Sequence, residues 1–251
     1  MITHLPVNTA STASNYAVVI PVLLTIICFV IYWFTAQSEK VKERFYKNTE
    51  FDKASVNHIF FTKVFGFITM GVIPLVVCLI FLPQYPFSFY TLTFRADTAL
   101  YSLLWIAGIS ALVIPLASIS ARKPKNLLNY PQIRAKEWTN KIVIINILGW
   151  SLYLLGYELL FRGVLLMPLA ENIGVWPAIA INIALYSATH IPKGLDETIG
   201  AIPLGLVLCL LTLASGTIWI AFFVHLAMAL TNSFTALKFH PDIHYVKSKR
   251  K

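Results

Sequence analysis

The chain has 251 residues, 57% of them hydrophobic and 12% charged, with a formal net charge of +9. An average soluble domain carries about 25% charged residues, so water is not this chain's main solvent and a soluble globular domain is excluded. Cys28, Cys78 and Cys209 fall in three different apolar runs, which argues against a disulfide framework.

A helix needs about 20 mostly apolar residues to cross a hydrocarbon core of about 30 Å. Taken in order, the apolar windows predict seven spans: Asn15 to Ala36, Ile59 to Leu82, Thr98 to Ile119, Ile142 to Ala170, Val175 to Ile191, Ile199 to Ala214 and Ile218 to Leu237. No Lys or Arg precedes the first run, and Ile20 to Ala36 leads into Lys40 and not into a small-residue cleavage site, so a retained anchor is expected. Lys63, near the start of the second span, is expected to snorkel to the interface. No repeat, low-complexity tract or linker longer than about 22 residues interrupts the chain. The expected architecture is all-α: one polytopic membrane bundle of about seven transmembrane helices, a single integral domain over residues 1–251.

Lys and Arg outside these spans number 0, 5, 1, 6, 0, 1, 0 and 5 from the N-terminus to the tail. Basic residues are retained on the cytoplasmic side, so the N-terminus is expected outside and the C-terminus inside, with Lys238, Lys247, Lys249, Arg250 and Lys251. The charge thereby serves orientation, with attraction to anionic lipid a secondary role, and no nucleic-acid partner is expected. The expected location is a bacterial-type plasma membrane, crossed several times.

With Lys63 set aside, four ionisable residues lie deep in apolar sequence: Glu158, Arg162, His190 and His225. A charge at the bilayer centre costs at least about 2.5 kcal/mol on insertion scales, so such residues persist mostly where they pair and function. Glu158 and Arg162 are four apart, on one helical face, either as a packing ion pair or as a functional one. From a turn near Asn172, Glu158 lies 14 residues back and His190 lies 18 forward. At 1.5 Å per residue their depths differ by about one helical turn, so a carboxylate and an imidazole could share one water as a general base requires. Each histidine taken singly reads equally as an interhelical hydrogen-bonder. His225 and Asn232 are seven apart, on one face but separated by about 10 Å along the axis. His240 and His244 have metal-ligand spacing, which the basic tail opposes.

The run Tyr157, Glu158, Leu159, Leu160, Phe161, Arg162, Gly163, followed by Tyr186 to His190 and then by His225, resembles the CPBP (Abi) family of intramembrane proteases, which includes the type II CAAX prenyl proteases. The resemblance covers about residues 142–239 and rests on three ordered family motifs: Glu-Glu-x-x-x-Arg, Phe-x-x-x-His and His-x-x-x-Asn. Three positions depart from them. Tyr157 stands where the family has its first glutamate, Tyr186 where it has phenylalanine, and Ala229 where it has asparagine, with Asn232 one turn later.

The resemblance implies hydrolysis of a peptide bond in a membrane-associated or prenylated-type protein substrate. In that reading Glu158, oriented by Arg162, and His190 activate water, and His225 stabilises the oxyanion, with Asn232 a further candidate. A metal variant would use Glu158, His190 and His225 as a three-ligand zinc site, although no His-Glu-x-x-His run accompanies it. The alternative to a peptidase is an inactive relative, a membrane partner or immunity-type protein, for which Tyr157 is the leading sign. A small transporter would show paired, broken hydrophobic segments in two matching halves, and these are missing.

Overall fold

The computed structural model describes residues 12–247, so Lys249, Arg250 and Lys251 of the basic tail lie outside the described residues. Among the described residues six helices are long and apolar enough to cross a membrane. We label the helices α1 (Thr12–Ala36), α2 (Glu39–Tyr46), α3 (Phe51–Phe81), α4 (Ala99–Ala121), α5 (Asn140–Ile173), α6 (Val175–Ala188), α7 (Leu195–Ser215) and α8 (Trp219–Phe239). The molecule is an all-α, multi-pass membrane bundle. Six of the seven predicted spans are full-length, and the seventh, α6, is a 14-residue helix about 21 Å long. Large apolar side chains such as Leu103, Leu104, Leu112 and Ile119 point outward, as helices facing lipid require.

α2 is short, polar and lies between the first two spans. Ser38 caps it, its hydroxyl accepting from the Val41 amide. α3 packs along α5, α8 along α4 and α5, and α7 along α6. α3 and α5 approach backbone to backbone: a Cβ added to Gly156 would stand 2.8 Å from the Phe67 Cα. Small residues permit such close crossings between spanning helices.

Two spans contain a widened π-helical stretch, Ile68–Val72 in α3 and Leu159–Leu166 in α5. A proline follows each one closely, Pro74 and Pro168. Proline supplies no N–H and its ring crowds the carbonyl four residues back, and the wider turn accommodates both defects. In α5 the widened stretch begins immediately after Glu158 and carries Arg162.

The connection between α3 and α4 dips into the bundle. Tyr90 and Thr91 are buried, Thr91 O accepts from the Ile218 amide at 3.1 Å, and the Leu92 carbonyl accepts from Trp219 Nε1 at 3.2 Å. Gly163 makes room for it, since a Cβ there would stand 2.7 Å from the Tyr90 carbonyl oxygen. At the opposite end of the bundle, strand β1 (Glu137–Trp138) pairs in parallel with β2 (His244–Tyr245), tying the tail to the start of α5.

Lys63 does not snorkel as expected. It is 4% exposed, with its ammonium 3.1 Å from the Trp150 ring centroid and 4.5 Å from that of Tyr153. Its stem packs beside Gly149 on α5, and the aromatic faces accept the cation inside the bundle.

Candidate functional site

Two of the spanning helices, α5 and α8, bring Glu158, Arg162 and His225 together in the interior. Glu158 and Arg162 are each 0% exposed and His225 is 5% exposed. Glu158 Oε1 accepts from His225 Nδ1, and Glu158 Oε2 faces Arg162 Nε at 3.4 Å. That second contact attracts as charge against charge without the direction of a hydrogen bond. Glu158 Oε2, Arg162 Nε and Arg162 Nη2 have no hydrogen-bond partner among the described residues. Three orphaned buried polar atoms in one place call for a functional account, because buried polar groups are otherwise nearly always satisfied.

Arg162 is anchored from a side the sequence reading overlooked. Its Nη1 donates to Asn182 Oδ1 and stands 3.4 Å from Cys209 Sγ, while Asn182 Nδ2 donates to the Phe161 carbonyl at 2.6 Å. Asn182 is thus bound to the backbone beside the arginine it holds. A signal for it exists in the sequence: Asn182 precedes Tyr186 by four residues, as Tyr186 precedes His190, giving a polar stripe on an apolar helix.

His190 stands just past the C-terminal end of α6 and is half-buried. Its Nδ1 lies 3.0 Å from the Tyr186 carbonyl oxygen and 3.2 Å from Thr189 Oγ1. A carbonyl only accepts, so Nδ1 carries the proton and Nε2 is the basic nitrogen. Thr189 Oγ1 donates to the same carbonyl at 2.7 Å, so it accepts from the Tyr157 hydroxyl at 2.8 Å. Tyr157 therefore reaches His190 through Thr189.

Asn232 is not drawn into this cluster. It is half-buried on α8, two turns beyond His225, and no hydrogen bond or ion pair joins it to Glu158, Arg162, His190 or His225 among the described residues. Its neighbour Ser233 faces inward instead, accepting from Trp150 Nε1 at 3.1 Å.

The three-ligand zinc set does not fit. Among the described residues no three His, Cys, Asp or Glu side chains gather to hold a metal ion. Both nitrogens of His225 are engaged, Nδ1 by Glu158 and Nε2 by the Tyr186 hydroxyl at 2.9 Å, and the other carboxylate oxygen faces a guanidinium. Zinc would have to displace a cation and a hydroxyl to reach its donors.

Residues 130–231 match the family of Rce1-like type II CAAX prenyl endopeptidases. The matched segment is consistent with the CPBP family and contains Glu158, Arg162, Tyr186, His190 and His225, while Asn232 lies just beyond it. The match supports a CAAX-type intramembrane protease in general terms. No curated protein and no solved structure matches the chain.

Proposed function

We propose that this chain is an intramembrane endopeptidase that hydrolyses a peptide bond of a membrane-associated or prenylated-type protein, without a metal. The observation that carries the reading is the buried carboxylate–imidazole pair, Glu158 with His225, with an unbonded carboxylate oxygen on the side of Arg162. Water is activated between Glu158 and the basic Nε2 of His190. Its O–H proton passes to that base as its oxygen attacks the scissile carbonyl carbon, and the carbonyl electron pair becomes an oxyanion. His225 takes up a solvent proton at Nε2 when substrate displaces the Tyr186 hydroxyl, steadies this oxyanion with that N–H while Glu158 opposite balances the imidazolium charge, and returns the proton to solvent after collapse. Collapse then breaks the C–N bond, and the proton is returned to the leaving amine. Arg162, held by Asn182, keeps the carboxylate in place. Asn232 stays a candidate only if substrate binding draws it two turns along α8.

The same reading places the chain in a bacterial-type plasma membrane as a single domain, with its N-terminus outside and its C-terminus inside. The alternative, a non-catalytic membrane partner, draws on Tyr157 standing where the family has a carboxylate. Cleavage assays with purified protein, candidate membrane or prenylated substrates, and the variants E158Q and H190A separate the two. We expect turnover by the wild type and a loss of at least about 100-fold in either variant, the usual weight of a general acid–base group. Retained turnover in both variants removes the peptidase mechanism. A wild type that cleaves nothing, in the face of partner effects that survive both substitutions, favours the partner reading.

A further inference from the structure

Tyr186 touches three members of the site, His225, His190 and Arg162. Its hydroxyl meets His225 Nε2 at 2.9 Å, its carbonyl oxygen lies 3.0 Å from His190 Nδ1, and its ring lies 4.9 Å beneath the Arg162 guanidinium. The ring also stacks obliquely near both imidazoles, with centroids 4.9 Å from His190 and 6.0 Å from His225. The residue is fully buried. The proton positions follow from the partners. Glu158 accepts, so His225 carries its proton on Nδ1 and offers a lone pair at Nε2, which makes the tyrosine hydroxyl the donor.

We propose that Tyr186 is a positioning residue that sets the tautomer and ring orientation of both histidines through two different groups, its hydroxyl for His225 and its main-chain carbonyl for His190. The hydroxyl is this chain's own addition to a position where the resembling motif has phenylalanine. It leaves His225 neutral and held at both nitrogens in the resting site, and it stands on the nitrogen that must turn to the oxyanion. The rate consequence rests on the peptidase reading above, whereas the tautomer assignment does not.

The divided role gives a test that packing alone would not pass. Y186F removes the hydroxyl and keeps both ring and carbonyl. Nitrogen NMR on histidine-labelled protein in detergent is expected to show both wild-type histidines protonated at Nδ1. In Y186F the His225 Nε2 resonance moves toward that of an unbonded imidazole nitrogen, and His190 stays where it was. In cleavage assays kcat falls about tenfold, as expected for one lost hydrogen bond, with KM held within about twofold. Y186L, which also removes the ring, disturbs both histidines. An unmoved His225 resonance in Y186F, or wild-type His225 protonated at Nε2, overturns the proposal, and the wild-type spectrum decides the second point even if the variants fold poorly. Absence of cleavage by the wild type would count against the peptidase reading and leave the NMR result to decide the positioning role.

Discussion

Arg162 shows how a full charge is kept inside a membrane bundle. It is surrounded by one carboxylate, one amide oxygen, one thiol and one aromatic face. Removing one partner of a buried charged group leaves the rest unsatisfied and costs about 1–3 kcal/mol, more where a charge is involved. N182L is therefore expected to destabilise the protein by at least about 2 kcal/mol, read as a fall in unfolding temperature in detergent, and C209S by less, because a hydroxyl can take over the thiol's contacts. That Glu158, Arg162 and His225 gather inside the bundle is legible from cost alone, since ionisable side chains rarely face lipid unpaired. The places of Asn182 and Tyr186 are not. An amide or a tyrosine in an apolar helix is cheap enough to pass as packing, and only the fold shows that each touches the charged group. Asn232 stands near a motif position but two turns from His225 along α8, and depth along the helix decides which side chains can reach the carboxylate.

Hydropathy gives the number of helices and marks their ends less closely. The second span begins at Phe51 and not at Ile59, because Asp52, Lys53, Asn57 and His58 interrupt the apolar run while the helix continues through them. The fifth ends at Ala188, before the Thr189–His190 turn and Pro192, which hydropathy alone carries through. The two π-helical stretches have no hydropathy signature, and the prolines behind them were their only trace. The α3–α5 crossing gives a paired prediction. G156A places a methyl group against the backbone of Phe67, which cannot move aside, and is expected to lower stability by about 1–3 kcal/mol. G200A meets nothing within 4 Å and is expected to leave stability unchanged or slightly raised, by helix propensity.

Beyond the spans, the tail is clasped to the connection before α5, and one histidine makes that clasp sensitive to pH. The His240 ring has Arg134 Nη1 at 3.2 Å from Nε2 and the Asp242 amide at 3.0 Å from Nδ1. Both neighbours are donors, so a neutral ring can accept one of them and a protonated ring neither. Partial burial, with the Arg134 charge second, holds the His240 pKa below its ordinary value of 6.5. A base whose folded-state pKa is depressed contributes stability that is fully present above the unfolded value and is lost as pH falls through the folded one. The unfolding temperature is therefore expected to drop between about pH 7 and about pH 5, and to drop less in H240Q.

At the scale of the whole molecule, one cluster connects the fold to its chemistry: α5, α6 and α8 each contribute a side chain to one buried polar centre, and the family match spans these helices. The orientation of that centre in the membrane is open to a labelling test, because Cys28, Cys78 and Cys209 are all buried. A single cysteine introduced at Lys42 or Lys125 should be modified by an impermeant maleimide only from the cytoplasmic side, and one at Asp97 only from outside, if the basic connections set the topology. The central claim is that Glu158 and His225 work as one catalytic unit, and a kinetic double-mutant cycle tests it most directly. With E158Q, H225Q and the double variant assayed on one substrate, we predict that the double variant loses no more of kcat/KM than the worse single one, as for groups acting together. Losses that simply multiply would contradict the account.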